Sequence, residues 1–135
     1  PDRRMGTVGD LREGRKARAL ITVEPDAKVT EAIGVLKMHG ISQVPVVADR
    51  RLTGVLFDKR LLESALEAGR VDGPVRDLVE ASYCTVDAET EVEVLIELFR
   101  RFKVAVVLDD DHRPIDIITR IDLIDFISQH QGGIA

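Results

Sequence analysis

The chain has 135 residues, 44% of them hydrophobic and 32% charged, with a net charge of −5. That is the composition of one compact domain able to bury roughly two thirds of its unfolded surface without staples. The acidic balance, few aromatics and absence of Trp exclude a basic stacking surface for nucleic acid, and no apolar run is long enough for a membrane span or a signal peptide. Cys84 has no second cysteine to pair with, which fits a reducing, cytoplasmic compartment. The first residue, Pro1, is compatible with a piece of a longer protein and with removal of an initiator Met.

Residues 1–18 read as a lead-in with a short helix. Its basic stretches, RRM at 3–5 and REGRK at 12–16, read as solvated. A first unit at 19–67 opens with a short apolar strand, Ala19–Val23. A helix follows with Val29, Ile33 and Leu36 on one face, and Gly40 stops it. Two strands, Gln43–Val47 and Leu52–Phe57, are joined by the polar turn ADRR. Asp58 is placed to cap a closing helix, Lys59–Glu67. EAGRVDGP at 67–74, rich in Gly, Asp and Pro, reads as a connector, set between the units at 68–74.

A second unit at 75–131 repeats the order. It has a strand, Tyr83–Val86, then a helix carrying Val92, Ile96 and Phe99, with Thr90 and Glu93 in a capping-box pattern. Strands Val104–Leu108 and Pro114–Thr119 flank the turn DDDHR, and the helix Arg120–Gln129 closes the unit. The copies match in sequence as well. VGDL at 8–11 answers VRDL at 75–78, TVEPDAKV at 22–29 answers TVDAETEV at 85–92, and LFDKRLL at 56–62 answers ITRIDLI at 118–124. The doubled strand–helix–strand–strand–helix order implies a mixed α/β fold. Two tandem β-α-β-β-α units would pack through their sheets with pseudo-twofold symmetry.

Thr119 and Asp122 stand three apart where the last strand becomes the last helix. That spacing starts a helix well, with a Thr cap and an acid in the first turn. It also offers a carboxylate acceptor beside a helix N-terminus, where an anion is favoured. The first copy has Phe57 and Arg60 instead. Phe57 has no hydroxyl, and a guanidinium has no acceptor for a diol. One ligand site per chain is therefore expected. His39, His112 and His130 lack metal-ligand spacing. Asp109, Asp110 and Asp111 read as a solvated turn, and Cys84 as a packed thiol. No nucleophile–base constellation or glycine-rich phosphate loop is present. Lys16, Lys28, Lys37, Lys59 and Lys103 have no setting for a Schiff base. The reading is of a binding module with no intrinsic cofactor, not an enzyme.

HGISQVPVV at 39–47, RLTGVLFDKRLL at 51–62 and PIDIITRIDLI at 114–124, taken in order, resemble a CBS domain pair, also called a Bateman module, over nearly the whole chain. GISQVPVV, the connector LLESALEAGRVDGPVRDLV, VAVVLDD and ITRIDLIDFI are similar to the C-terminal regulatory region of cystathionine β-synthases. The resemblance implies a regulatory module that binds AMP, ADP, ATP or S-adenosylmethionine in a cleft between the units. It also implies an attached catalytic domain, absent from this chain, and a homodimer paired through the helices Val29–Met38 and Val92–Phe102, with the closing helices. Carried onto this sequence, Asp122 takes the ribose hydroxyls and Thr119 the phosphate or its equivalent. Ile41, Ser42, Gln43, Val44 and Pro45 would wall the adenine, with Val23 and Ile121 adding apolar contact. Arg120, between Thr119 and Asp122, is placed to meet a phosphate, which favours a nucleotide. The synthase likeness favours S-adenosylmethionine, and both stay open. A ligand-free dimerisation and packing module is the alternative.

Overall fold

The computed structural model describes residues 5–67 and 71–131. Their elements are α1 (Val8–Glu13), α2 (Val29–His39), β1 (Gln43–Ala48), β2 (Arg51–Phe57), α3 (Asp58–Leu66), β3 (Tyr83–Val86), α4 (Val92–Leu98), β4 (Val104–Leu108), β5 (Pro114–Thr119) and α5 (Arg120–Gln131), with a 3₁₀ turn at Val75–Leu78. The fold is mixed α/β, with one two-stranded and one three-stranded sheet.

Ile21–Ala81 form one body. β1 and β2 pair antiparallel, and their turn places Asp49 and Arg50 at φ 50° and 63°. Two consecutive left-handed residues match the twist of a tight hairpin. Gly40 ends α2 at φ 61°, where a side chain would be strained. The expected strand Ala19–Val23 shrinks to Val23, which bridges Val46 through bonds to Pro45 and Val47. The chain just upstream is engaged elsewhere, by the ion pairs of Arg15 and Arg18 described below. On α2 the buried face is Val29, Ala32 and Leu36. Ile33 packs only partly, at its flank. α3 begins at Asp58 itself, so Asp58 does not cap it from outside. Its carboxylate accepts from the next amide, Lys59 N, at 2.7 Å.

Of the segment expected as a connector, residues 68–70 lie outside the described residues, and the part from Val71 onward does structural work in this body. Carbonyls of Gly73 and Val71 accept from Val29 N and Thr30 N at 3.1 and 3.0 Å. These are amides that a helix start leaves without internal partners. Val75 and Leu78 then enter the core with Val29, Val44, Val46, Leu56 and Leu61.

Among the described residues, those up to Leu20 and those from Ser82 form the other body. β4 is central, parallel to β3 and antiparallel to β5. The lead-in does here what residues 71–78 do in the first body. Thr90 O and Ala88 O accept from Val8 N and Gly9 N at 2.8 and 2.9 Å, and Gly6 O accepts from Val92 N at 2.9 Å. Val8 and Leu11 are buried with Val92, Leu95, Ile118 and Phe126. The two copies VGDL and VRDL therefore each serve the body built from the other repeat.

The capping box expected at Thr90 and Glu93 does not form. Thr90 Oγ1 accepts from Asp87 N at 3.1 Å, and Glu93 Oε2 accepts from Met5 N at 3.2 Å. The lead-in's Gly6 carbonyl already serves the first amide of α4. A capping box does form at α1, between Thr7 and Asp10.

Candidate functional site

β5 ends at Thr119 and α5 begins at Arg120, so the turn from strand to helix fixes Thr119 and Asp122 against each other. Asp122 Oδ2 accepts from Thr119 N at 2.9 Å and from Thr119 Oγ1 at 3.1 Å. The Asp122 amide lies 3.5 Å from Thr119 Oγ1. These are the contacts of a helix start, so the capping role is present. The carboxylate is 16% exposed and lines a hollow of about 300 Å³ with Leu11, Arg15, Lys16, Asp125, Phe126 and Gln129. That volume is at the lower end of small-molecule sites.

The stretch expected to be solvated is in fact the electrostatic partner of this carboxylate. Arg12, Arg15 and Arg18 lie along the lead-in at a spacing of three. Arg15 Nη1 is 3.2 Å and Arg18 Nη2 3.5 Å from Asp122 Oδ2. The same three arginines surround Asp116 on β5, whose side chain is 5% exposed. Arg12 Nε donates to Asp116 Oδ2 at 2.7 Å, Arg15 Nη2 donates to the same oxygen, and Arg18 Nε lies 3.8 Å from Oδ1. Asp116 Oδ1 also accepts from Ile117 N at 2.7 Å. A carboxylate this buried requires such pairing. The physical reason for the correction lies in β5: its alternation turns Asp116 inward, and the nearest cations are on the lead-in. Arg15 Nη1 is buried and, among the described residues, has no aligned hydrogen-bond acceptor. Three guanidinium groups thus face two carboxylates, and Lys16 and Asp125 also line the hollow.

Arg120 points elsewhere. Its Nη2 donates to Phe99 O at 2.8 Å and Phe102 O at 3.3 Å, where a cation complements the end of α4. Ile121 is 61% exposed and stays off the hollow's lining. The remaining expected residues lie in the first body. Val23 is buried beside β1 and donates to Pro45 O at 3.1 Å. Val44 and Pro45 are also buried, Ile41 and Gln43 are half-buried, and Ser42 is exposed. Ser42 O accepts from Asp58 N at 2.9 Å. At the positions corresponding to Thr119 and Asp122, Phe57 is buried and Arg60 lies 4.0 Å from Glu63 Oε2.

Sequence reasoning missed Asp116, Arg12, Arg15 and Arg18. The available signal was an acid inside the apolar strand PIDIIT together with arginines at regular spacing in the lead-in. Among the described residues no group of His, Cys, Asp or Glu could hold a metal ion. No helix there is long and apolar enough to cross a membrane.

Similar proteins share this architecture. The chain is 31% identical over 110 residues to an inosine-5'-monophosphate dehydrogenase of Methanocaldococcus jannaschii, an alignment covering 78% of this chain and 21% of that protein. It spans only 40% of a second protein of that organism, at 24% identity. A CBS-domain containing protein of Agrobacterium tumefaciens superposes with a TM-score of 0.79 at 25% identity, over 94% of this chain and 97% of that one. The structure of CBSX2 in complex with AMP superposes with a TM-score of 0.75 at 27% identity, over 92% and 97%. The CBS domain profile matches residues 8–67 and again 75–129. The chain belongs to the CBS domain family and carries the domain as a pair.

Proposed function

We propose that the chain is a regulatory module that binds an adenosyl compound at the start of α5. The ligand is S-adenosylmethionine or one of AMP, ADP and ATP, and occupancy modulates an attached catalytic domain. The observation that carries this reading is the Asp122 carboxylate, held by Thr119 at a helix start and facing a hollow large enough for a nucleoside. A carboxylate accepts from both hydroxyls of a cis-diol, and bonds to an ionised acceptor are the strong ones. The AMP complex of a similar CBS pair supports the ligand class. The likeness to cystathionine β-synthases supports a pyridoxal-phosphate enzyme as the attached domain, whereas the dehydrogenase relative supports a different one. The adenine-contacting roles of Ile41, Ser42, Gln43, Val44, Pro45 and Val23 belong to the same proposal. Val44 is fully buried, so it would contribute backbone. Ligand binding regulates only if it prefers one of two arrangements of the whole protein.

Calorimetric titration of the chain with S-adenosylmethionine, AMP and ATP tests this. Saturable binding of at least one, weakened by about tenfold or more in Asp122→Ala, is expected. A folded chain that binds none of them would refute it.

A second reading rests on exposed apolar side chains: Val94 on α4, Ile121 and Ile124 on α5, and Met38, Leu62 and Leu66 on α2 and α3. Such residues mark interfaces when they are contiguous. They support a homodimer paired through helices, with or without ligand. Sedimentation of the wild type against Ile121→Lys/Ile124→Lys tests it. A dimer lost in the variant supports the reading, and a monomeric wild type contradicts it.

A further inference from the structure

We propose that residues 15–20 are a strap that Asp116 latches to β5, and that the strap opens locally while α1 and the sheet of its body stay folded. This holds whether or not Asp122 takes a ligand. The same contact is built in two different ways in the two repeats. Carried back by two residues, the match of LFDKRLL with ITRIDLI sets Gly54 against Asp116 and Val55 against Ile117. Carried forward by one, the match of VRDL with VGDL sets Val79 against Arg12.

In the first body the contact is main chain and apolar. Glu80 N donates to Val55 O at 2.9 Å and Val55 N donates to Glu80 O at 3.5 Å. Val79 packs so closely on Gly54 that an added Cβ would lie 2.6 Å from its own Cβ. In the other body charged side chains make the contact. Arg12 and Arg15 hold Asp116 Oδ2, Arg18 Nη2 donates to Ile117 O at 3.0 Å, and Asp116 Oδ1 takes Ile117 N. Among the described residues, the main chain of residues 16–20 makes no backbone–backbone hydrogen bond. Loss of charge therefore leaves the first contact intact and releases the second. α1 has its own anchors, since Val8 and Leu11 are buried and the Thr7–Asp10 capping box closes its first turn. Opening stops at Gly14, where α1 ends. A segment held by few contacts opens apart from the core beneath it. Arg15 and Arg18 are also the ion-pair partners of Asp122, so the strap's position sets how much positive charge faces that carboxylate.

Trypsin reads the strap directly, because Lys16 lies within it and is exposed. Cleavage of the full chain after Lys16 is followed by mass spectrometry in wild type and Asp116→Asn, at about 0.05 and 1 M NaCl, and in urea below the unfolding transition. Each rate is divided by that of a free peptide spanning residues 12–22 under the same conditions. When opening is fast, cleavage follows the open population. Asp116→Asn should be cut at least about tenfold faster than wild type, and wild type about threefold faster at the higher salt. Urea should change the wild-type rate by less than about twofold, because a local opening exposes little surface. The salt and urea arms decide the matter even if Asp116→Asn folds poorly. A rate indifferent to both Asp116→Asn and salt would overturn the latch. A rate that climbs steeply with urea would show that the lead-in leaves only when its whole body unfolds, and would overturn the local opening.

Discussion

Replacing Asp116 by Asn removes one buried negative charge from among three arginines and changes almost nothing in volume. No cavity term enters, so the cost is electrostatic. Breaking a fully buried pair by neutralising one partner costs about 3–5 kcal/mol, whereas exposed pairs contribute about 0–1 kcal/mol. Asp116 sits at the buried end, with 5% of its side chain exposed, while Arg12 and Arg15 are 32% and 19% exposed. Both arginines can turn partly toward solvent, and Asn keeps one oxygen to accept from Arg12. Arg18, 48% exposed and 3.8 Å away, contributes little. The expected loss is about 2–3 kcal/mol. For a chain of this size that lowers the melting temperature by roughly 6–10 °C. Urea unfolding and thermal melts of Asp116→Asn, Arg15→Gln and the double variant read this directly. The pair should show a coupling energy of about 1–2 kcal/mol. A variant as stable as wild type, or single effects that simply add, would refute the claim that the lead-in is held by this carboxylate.

Gly54→Ala should cost about 1–3 kcal/mol by urea unfolding, because an added Cβ would lie 2.6 Å from Val79 Cβ. Val79→Ala should restore only part of that loss, since it keeps the offending atom. Thr7→Ala should destabilise by about 1 kcal/mol through loss of the α1 capping box. Burial pushes the Cys84 thiol above its ordinary value, so at neutral pH it stays protonated, and alkylation of the native chain should be far slower than of the urea-unfolded chain. By linkage the contribution of that thiol to stability is full below the ordinary thiol value and falls as pH rises past it. Rapid alkylation of the folded chain at neutral pH would contradict the buried placement.

The repeat was legible because both copies keep the same order of apolar periods and turns. The hairpins of β1–β2 and β4–β5, the stop at Gly40 and the closing helices follow from local chemistry. The assignment of segments to bodies was not legible. VGDL and VRDL look like the openings of their own repeats, yet Val8 and Leu11 pack with Val92 and Leu95, and Val75 and Leu78 pack with Val29 and Leu61. Local sequence says that such a segment is amphipathic, not which core receives it. The failed capping box at Thr90 has the same origin: a main-chain carbonyl from far upstream took the place a side chain was expected to fill. In the candidate site, Thr119 and Asp122 could be read from spacing and from family likeness. Their arginine partners could not, because a basic lead-in normally reads as solvated. Only the inward turn of Asp116 changes that.

The central claim is that Asp122 receives a ribose diol, and substituting ligand and protein together tests it most directly. Whichever of AMP, ATP or S-adenosylmethionine binds should be titrated beside its 2'-deoxy counterpart, against wild type and Asp122→Ala. A hydrogen bond to a buried charged acceptor contributes about 1.5–3 kcal/mol, so wild type should favour the ribo form by about tenfold or more. That preference should vanish in Asp122→Ala. A preference for the ribo form that survives in the variant would place the diol elsewhere and contradict the account.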